Sequence, residues 1–588
     1  MDYVILSAVM AVVFGLISLN REHKGFCLIS SFLVFIFCLA INIAWLPIIN
    51  LTSFRDIWLE FMVTAFTAAL CYSLLGESDK FSSKAVRTLP FFISILILLV
   101  MEGRSFRFYQ ADRFCQMLKV DTVALDEFNQ DIFPTSVRKM ICVDASMARK
   151  AAEDLLDTDP GLGSRVYVGE MTMQPIDGSF TIDGGKRLTF EDGVIWVAPL
   201  EHKSFRKWWI NDVTPGYVIV DATDANMTRR YIVREVNGRK LALRYLESGC
   251  LWDDIEFHIK INGYTGKGLN DHRFEIDNSG NPFWVLSAYE PQIGVDAKDS
   301  QGAITVDAQS GELKEYCIAE APSWIDRIQP EDFVFEQISW WGKYQLGWWN
   351  SWWNQLNVQC PTPGLTLVYS QGRSYWYTGI QSSGNSESTS GFMLVDTRDK
   401  TARYYKMAGV NEQEAQNIAD DIPFARTAGY QSIKPVLYNL RGVPSYFLVY
   451  KGGSGNATGY AFVSVANRSV FGAGTTPEEA EREYLNRMSS SGMINYEDDQ
   501  VEKAEGVYTI RAITRVGETF YLRLKEAPGC EFSAHNNVSH DLKWSEPEDR
   551  IHIGYGKGES KYIPISEYKN LDLSLIHISE PTRRVVIS

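Results

Sequence analysis

Most of the first hundred residues fall into apolar runs at or near the length that crosses a bilayer. Tyr3–Leu19, Phe26–Ile49 and Ile57–Leu75 each reach, or nearly reach, the length that spans a hydrocarbon core of about 30 Å at roughly 1.5 Å per helical residue. Leu89–Met101 is shorter and spans only with Thr88 and local bilayer thinning. Glu60 interrupts the third run near one end. A buried helix of a soluble protein is the alternative for such runs. A cleaved signal peptide is disfavoured, because Asp2 stands where a basic segment belongs and no small-residue cleavage site precedes Asn20. Residues 1–103 therefore read as a four-span transmembrane region.

Basic residues in short loops set the orientation of such a region. Arg21 and Lys24 lie between the first two spans, and Lys80, Lys84 and Arg87 between the third and fourth. Arg55 alone lies between the second and third. The first and third loops are expected inside, which puts the N-terminus and everything after Gly103 outside. Arg104, Arg107 and Arg113 argue the other way, and loss of the fourth span would place the globular region in the cytoplasm.

The rest of the chain is of globular composition. Over the 588 residues, 45% are hydrophobic and 22% charged, with 72 acids against 57 bases for a net charge of −15. That balance excludes disorder and a generally basic nucleic-acid binder. Within it, four segments share one plan. Gly193-Val-Ile-Trp196 leads to Val220-Asp221, Gly280-Asn-Pro-Phe-Trp284 to Val306-Asp307, Gly372-Arg-Ser-Tyr-Trp376 to Val395-Asp396, and Gly442-Val-Pro-Ser-Tyr-Phe447 to Val463-Ser464. The anchors Trp196, Trp284, Trp376 and Phe447 are 88, 92 and 71 residues apart, and the distance from anchor to Asp or Ser falls from 25 through 23 and 20 to 17. One connection of variable length in a tandem duplication accounts for the shrinkage.

Each copy reads as short β-strands rich in Val, Ile, Tyr, Phe and Trp, bounded by Gly, Asn and Asp. Amphipathic helices are expected at Ala145–Leu156, Asn411–Ile422 and Thr476–Met488. Thr476-Pro-Glu-Glu479 supplies a cap, a first-turn proline and early acids. A helix on one face of an antiparallel sheet is an α+β unit. The expected divisions are 104–262 for juxtamembrane helices and the first repeat, 263–330 for the second, 331–410 for a Trp-rich helix and the third, and 411–496 for the fourth. Beyond the polar linker Glu497–Gln500, residues 497–572 read as a small β-barrel or sandwich. Leu573–Ser588 resembles the translation of a transposase adapter used in DNA library preparation and is set apart from the fold.

The phrase Ala303-Ile-Thr-Val-Asp-Ala-Gln-Ser-Gly-Glu-Leu313 resembles the final hairpin of a PepSY domain. Copy one departs from it at Asp224-Ala225, and copy four lacks the aspartate. The whole plan, with Trp196–His202 and Trp324–Phe333, is similar to bacterial multi-pass membrane proteins of unknown function. The resemblance implies tandem PepSY-like modules at the cell envelope, of a kind attached to peptidases or membrane sensors as binding or regulatory units. It implies no reaction.

No constellation points to an enzyme. The histidines form no HExxH pattern, there is no GxSxG elbow, and the cysteines show no CxxC or paired Cys/His spacing that would hold zinc. Catalytic, cofactor and metal residues are expected to be none. Asp221, Asp307 and Asp396 are expected to bond the backbone of the turns that follow them. The unusual feature is Trp340, Trp341, Trp348, Trp349, Trp352 and Trp353, six of the sixteen tryptophans within fourteen residues. On one helix they make neighbouring indole stripes, one for the core and one for membrane lipid, an envelope protein or a glycan. The function expected is non-catalytic binding, scaffolding or sensing at the envelope. The alternative is an envelope hydrolase or peptidase regulator with a site assembled between repeats.

Overall fold

The computed structural model describes residues 1–18, 24–75, 81–383, 388–453, 455–494, 503–516, 519–536, 538–556 and 562–573. Arg21, Lys80, the linker Glu497–Gln500 and the tail from Ser574 lie outside the described residues. Met1–Phe133 with Lys139–Ala408 form one compact unit, and Pro134–Arg138 with Gly409–Ser588 form a second.

The first unit opens with four helices, α1 (Asp2–Ser18), α2 (Lys24–Trp45), α3 (Arg55–Leu75) and α4 (Phe81–Arg104). Two of them, over Gly25–Trp45 and Val86–Arg104, are long and apolar enough to cross a membrane. α1 has only 17 residues, and α3 carries Arg55, Asp56 and Glu60 near its start. Small residues let the helices approach: Ala65 and Ala68 are fully buried, and a Cβ on Gly15 would stand 2.8 Å from Ser31 Oγ. Asn42 Nδ2 donates to Ser7 Oγ (3.1 Å) and to Glu60 Oε1 (3.3 Å). Glu60 thus turns toward α1 and α2.

Three ends of these helices meet the β-rich part of the same unit. Thr265 Oγ1 donates to Asp2 Oδ2 (2.5 Å), and Ile49 N donates to Thr265 O (2.8 Å). Phe54, in the connection from α2 to α3, packs on Tyr289 and Phe333. Just past α4, Ser105 Oγ donates to Ile293 O (3.3 Å) and accepts from Val295 N (2.8 Å). At the far end, Arg87 Nη1 donates to Ile17 O (2.7 Å), and its guanidinium lies 4.2 Å from the Tyr72 ring centre.

Four times along the chain, a helix is followed by four antiparallel strands that pair in sequence order. Copy one has Ala145–Asp157, then Thr172–Ile182, Lys186–His202, Tyr217–Asp221 and Arg230–Val233. Copy two has Ile255–Ile259, then Gly268–Ile276, Pro282–Ile293, Asp296–Asp307 and Leu313–Cys317. Copy three has Glu331–Tyr344, then Thr366–Ser370, Arg373–Ser382, Gly391–Asp396 and Ala402–Tyr405. Copy four has Glu412–Asp421, then Val436–Leu440, Val443–Lys451, Ala457–Ser464 and Phe471–Gly474.

The register is the same in every copy. Rows of paired residues run Met173–Trp196–Val220–Arg230, Phe274–Trp284–Val306–Leu313, Leu367–Trp376–Val395–Ala402 and Leu437–Tyr446–Val463–Phe471. The anchor of copy four is therefore Tyr446, and Phe447 faces the other side of its strand. Each anchor donates to a backbone carbonyl ahead of its helix: Trp196 Nε1 to Val143 O (2.8 Å), Trp284 Nε1 to Tyr245 O (3.0 Å), Trp376 Nε1 to Gln329 O (2.9 Å) and Tyr446 OH to Val410 O (3.1 Å). In three copies the acceptor immediately precedes the helix cap, Asp144, Pro330 or Asn411. In copy two the turn through Asp253 intervenes.

The repeated carboxylates serve the turns. Asp221 Oδ1 accepts from Thr223 N, Asp307 Oδ1 from Gln309 N and Asp396 Oδ1 from Arg398 N, at 2.8–2.9 Å, and Ser464 Oγ accepts from Asn467 N (3.3 Å). Copies one and two share a core around Phe180, Tyr217, Phe274, Trp284 and Ile304, each side chain contributing roughly 1.5–3 kcal/mol. In the second unit, Lys503–Val516, Thr519–Leu524, Glu531–His535, Arg550–Gly556 and Tyr562–Asn570 pair in a closed ring around Ile510, Leu522, Phe532 and Ile553.

Candidate membrane-facing aromatic site

The tryptophan-rich segment is not one helix. Glu331–Tyr344 starts with two acids in its first turn and buries Val334, Ile338, Trp340 and Tyr344. It ends where Gly347 takes φ +78°, a conformation open to glycine and costly for other residues. Short turns Gly347–Trp349 and Asn350–Asn354 follow. The single continuous helix expected over Trp340–Trp353 is corrected: the break separates two core indoles from four that lie beyond it.

Trp340 is buried with its ring 4.8 Å from Phe114, edge-on. Trp341 is half-buried against Tyr404 at 5.6 Å. Neither offers a docking surface. Trp348 sits half-buried beside Phe108 (5.2 Å) and stacks on Trp352 (6.0 Å). Trp349, Trp352 and Trp353 are 61%, 60% and 79% exposed, flanked by exposed Leu346 and Leu356.

The patch extends onto residues that sequence reading passed over. Helix α5 (Arg107–Cys115) begins directly after α4. Its Phe108 also meets Trp349 at 5.5 Å, and Phe106 and Tyr109 are exposed beside it. The signal was present in Phe106-Arg-Phe-Tyr109, where three aromatics surround Arg107 just past an apolar run. Those arginines entered the sequence reading only as charges bearing on orientation. Burial pushes the Tyr344 hydroxyl up, opposed by Arg107. The surface that results is aromatic and apolar, with Arg104, Arg107 and Lys343 nearby in sequence.

A second constellation lies between copies one, two and three. Arg273 donates through Nε to Glu275 Oε1 (2.9 Å) and pairs with Asp271. Arg273 also bonds Arg327 O. Arg327 Nη2 donates to Met173 O (3.1 Å), which Tyr369 OH reaches at the same distance. Asp326 Oδ1 lies 3.7 Å from Arg327 Nε. Burial pushes the Glu275 and Asp326 carboxyls up, against the pull of the two guanidiniums. The Glu275 and Asp326 side chains have no exposed surface, Arg273 has 3% and Arg327 11%, whereas Asp271 keeps 27%. The arrangement fastens copies together.

A cleft of about 1120 Å³ in the second unit is lined by Phe424, Phe471, Glu483, Arg487, Tyr521 and Arg523 among others. Four of its ionic groups form pairs, Arg487 with Glu483 (2.7 Å) and Arg523 with Glu531 (3.3 Å), and Glu479 accepts from Thr475 N (2.8 Å).

No family model matches this chain, and no curated protein matches it. Among solved structures, a Trypanosoma rangeli sialidase in complex with 2,3-difluorosialic acid aligns over 67% of this chain and 56% of its own length, at 7% identity and a TM-score of 0.12. Similarity at that level carries no argument about fold or function.

Proposed function

We propose that the chain is a multi-pass protein of a bacterial cell envelope, that its four N-terminal helices all span the membrane, and that its β-rich region stands outside as a non-catalytic binding, scaffolding or sensing element. The four helix-plus-sheet copies are PepSY-like modules in this reading. The observation that carries it is the distribution of contacts around the helices. Asp2, Ile49 and Ser105, at three outer ends, are all bonded to the β-rich part of the unit. Four antiparallel spans bring these three ends to one membrane face. The other face then holds Arg87, bonded to Ile17 O, as expected for a cytoplasmic side. The short α1 and the charged start of α3 fit a span, because both helices present large apolar side chains outward, among them Val9, Val12, Val63 and Phe66.

The aromatic patch around Trp349 and Trp353 rests on the outer headgroup layer in this reading, with membrane lipid as its partner. An envelope hydrolase or a peptidase regulator with a site between repeats is the other class. What weighs against a catalytic site there is that Glu275, Asp326 and Arg273 are buried.

Cysteine labelling in intact cells tests the topology. With Cys317, the exposed native thiol, changed to Ser, a Ser179→Cys variant is expected to react with an impermeant maleimide and a Ser82→Cys variant only after lysis. Equal protection of both, or the reverse order, overturns the reading.

A further inference from the structure

We propose that the β-rich region has a second foot on the same bilayer surface, formed by the short helix Phe205–Asn211 and the turn Leu251–Asp253, and that this foot takes anionic lipid headgroups. The inference rests on the membrane-anchored reading above. The residues of the foot itself play no part in that reading.

The helix has the sequence Phe-Arg-Lys-Trp-Trp-Ile-Asn and starts at Ser204, whose Oγ accepts from Lys207 N. Phe205, Trp209 and Ile210 are 62%, 71% and 63% exposed, and in the adjoining turn Leu251 and Trp252 are 52% and 61% exposed. Phe205 lies 5.5 Å from Trp208 and 6.2 Å from Trp209. Trp208 fastens helix to turn, its Nε1 donating to Asp253 Oδ2 (3.2 Å), while Asp253 Oδ1 accepts from Arg244 Nε (2.8 Å). Five large apolar side chains thus stand together in solvent on two short elements that are tied to each other. A patch of this kind marks an interaction surface.

Continuity with the helix ends identifies the occupant. From Trp252, which packs on Phe257 (5.2 Å), the chain continues through Ile255–Ile259 and Lys260–Tyr264 to Thr265. Thr265 bonds both Asp2 and Ile49, at the outer ends of α1 and α2. At the other end of this stretch Glu256 lies within electrostatic reach of Tyr3. Thr265 is therefore beside the outer ends of α1 and α2, and in this reading the short stretch from Trp252 to Thr265 runs along the bilayer surface.

Charge selects among lipids. Lys203, Arg206 and Lys207 stand with the aromatics, and Asp212 is the one acid from Lys203 to Val213. On the turn, Asp253 is paired with Arg244, and Asp254 and Glu256 follow it, so the positive charge is confined to the helix. Basic residues interleaved with Trp and Phe on a surface helix seat the rings at the acyl boundary and hold anionic headgroups above them. A protein partner is the competing occupant.

Photo-crosslinking of the full chain in proteoliposomes tests the foot. p-Benzoylphenylalanine replaces Trp209, Trp252 or Trp353 singly. It also replaces Asn278, which lies beyond the far end of the strand that begins next to Thr265 and is expected to give no lipid adduct. In vesicles of phosphatidylcholine with phosphatidylglycerol, lipid adducts are expected at 209, 252 and 353. At 209 and 252 their yield should fall severalfold in phosphatidylcholine alone, and severalfold again for an Arg206→Glu/Lys207→Glu variant. Adducts at 353 without any at 209 and 252 overturn the second foot and leave the first reading standing. Adducts at none of the three overturn the membrane-surface reading itself. Equal yield at Asn278, or yields at 209 and 252 indifferent to phosphatidylglycerol, overturn the headgroup assignment.

Discussion

Glu201, next to last in the strand Lys186–His202, is 2% exposed and accepts from Ser248 N (3.0 Å) and from the Ser248 hydroxyl. Burial pushes its carboxyl up to about 7, against those hydrogen bonds and with Glu247 adding to the rise. In the unfolded chain the group gives up its proton near 4.5. Between those two values the native state binds more protons than the unfolded one, so this residue's contribution to stability is full below pH 4.5 and is lost as pH rises through 7. The loss is on the order of 3 kcal/mol. Glu201→Gln keeps acceptor and shape and cannot ionise. It is expected to match the native chain at pH 4 and exceed it at pH 8 by that margin, read as the difference in thermal midpoint across the range. A difference that does not change with pH rules the argument out.

At the scale of single elements, the strand Phe471–Gly474 shows how a sheet edge is closed. Glu483 Oε2 accepts from Ala473 N (2.9 Å), and Glu479 Oε2 accepts from Thr475 N (2.8 Å). Both carboxylates belong to the helix Pro477–Ser490. The outward amides at Ala473 and at Thr475 just past the strand are therefore occupied, which makes the edge a poor template for another strand. This requires the helix to lie very close, and a Cβ on Gly472 would fall 2.3 Å from Tyr484 N and 2.7 Å from Ala480 O. Both are backbone atoms and cannot turn aside. Gly472→Ala is expected to cost about 1–3 kcal/mol in denaturant unfolding and to speed amide exchange at Ala473. Gly453→Ala, with open space around it, is expected to be neutral.

The cap at Thr476 and the acids after it made that helix legible in the sequence, because capping is local chemistry. The matched Val-Asp phrases were legible for the same reason: a strand end and its Asx turn are written in consecutive residues. The anchor of copy four was not. Tyr446 and Phe447 are adjacent aromatics on opposite faces of one strand, and only the pairing of Tyr446 with Val463 decides between them. The tryptophan segment misled in a related way. Its spacing fits a helix throughout, and the break at Gly347 came down to one residue tolerated by the pattern. Phe108 joins Trp348 and Trp349 across 240 residues of sequence or more, a contact that no local signal carries.

At the scale of the whole molecule, the buried charges between copies one, two and three join elements far apart in the chain. Met173, Arg273, Arg327 and Tyr369 come from four separate segments. Such a network costs desolvation to form and is unforgiving when one member is lost. Arg327→Met leaves Asp326 and Glu275 with Arg273 alone. It is expected to destabilise the first unit by about 3–5 kcal/mol. The double variant Asp326→Asn/Arg327→Met removes charge of both signs and should recover more than half of that loss in the same denaturant titration. If the double variant is no better than the single one, electrostatics is not what holds these copies together.

The bond from each anchor to the backbone ahead of its helix separates what is constant in a copy from what is free. It fixes root to root, helix start against sheet, and takes no account of the tip where the second strand turns into the third. Between Trp196 and Asp221 that tip accommodates a whole helix, whereas between Trp284 and Asp307 it is a tight turn latched to Ser105. Inheritance can therefore edit the tips of successive copies independently, as one alphabet set in different type, while every copy still closes on the same hydrogen bond.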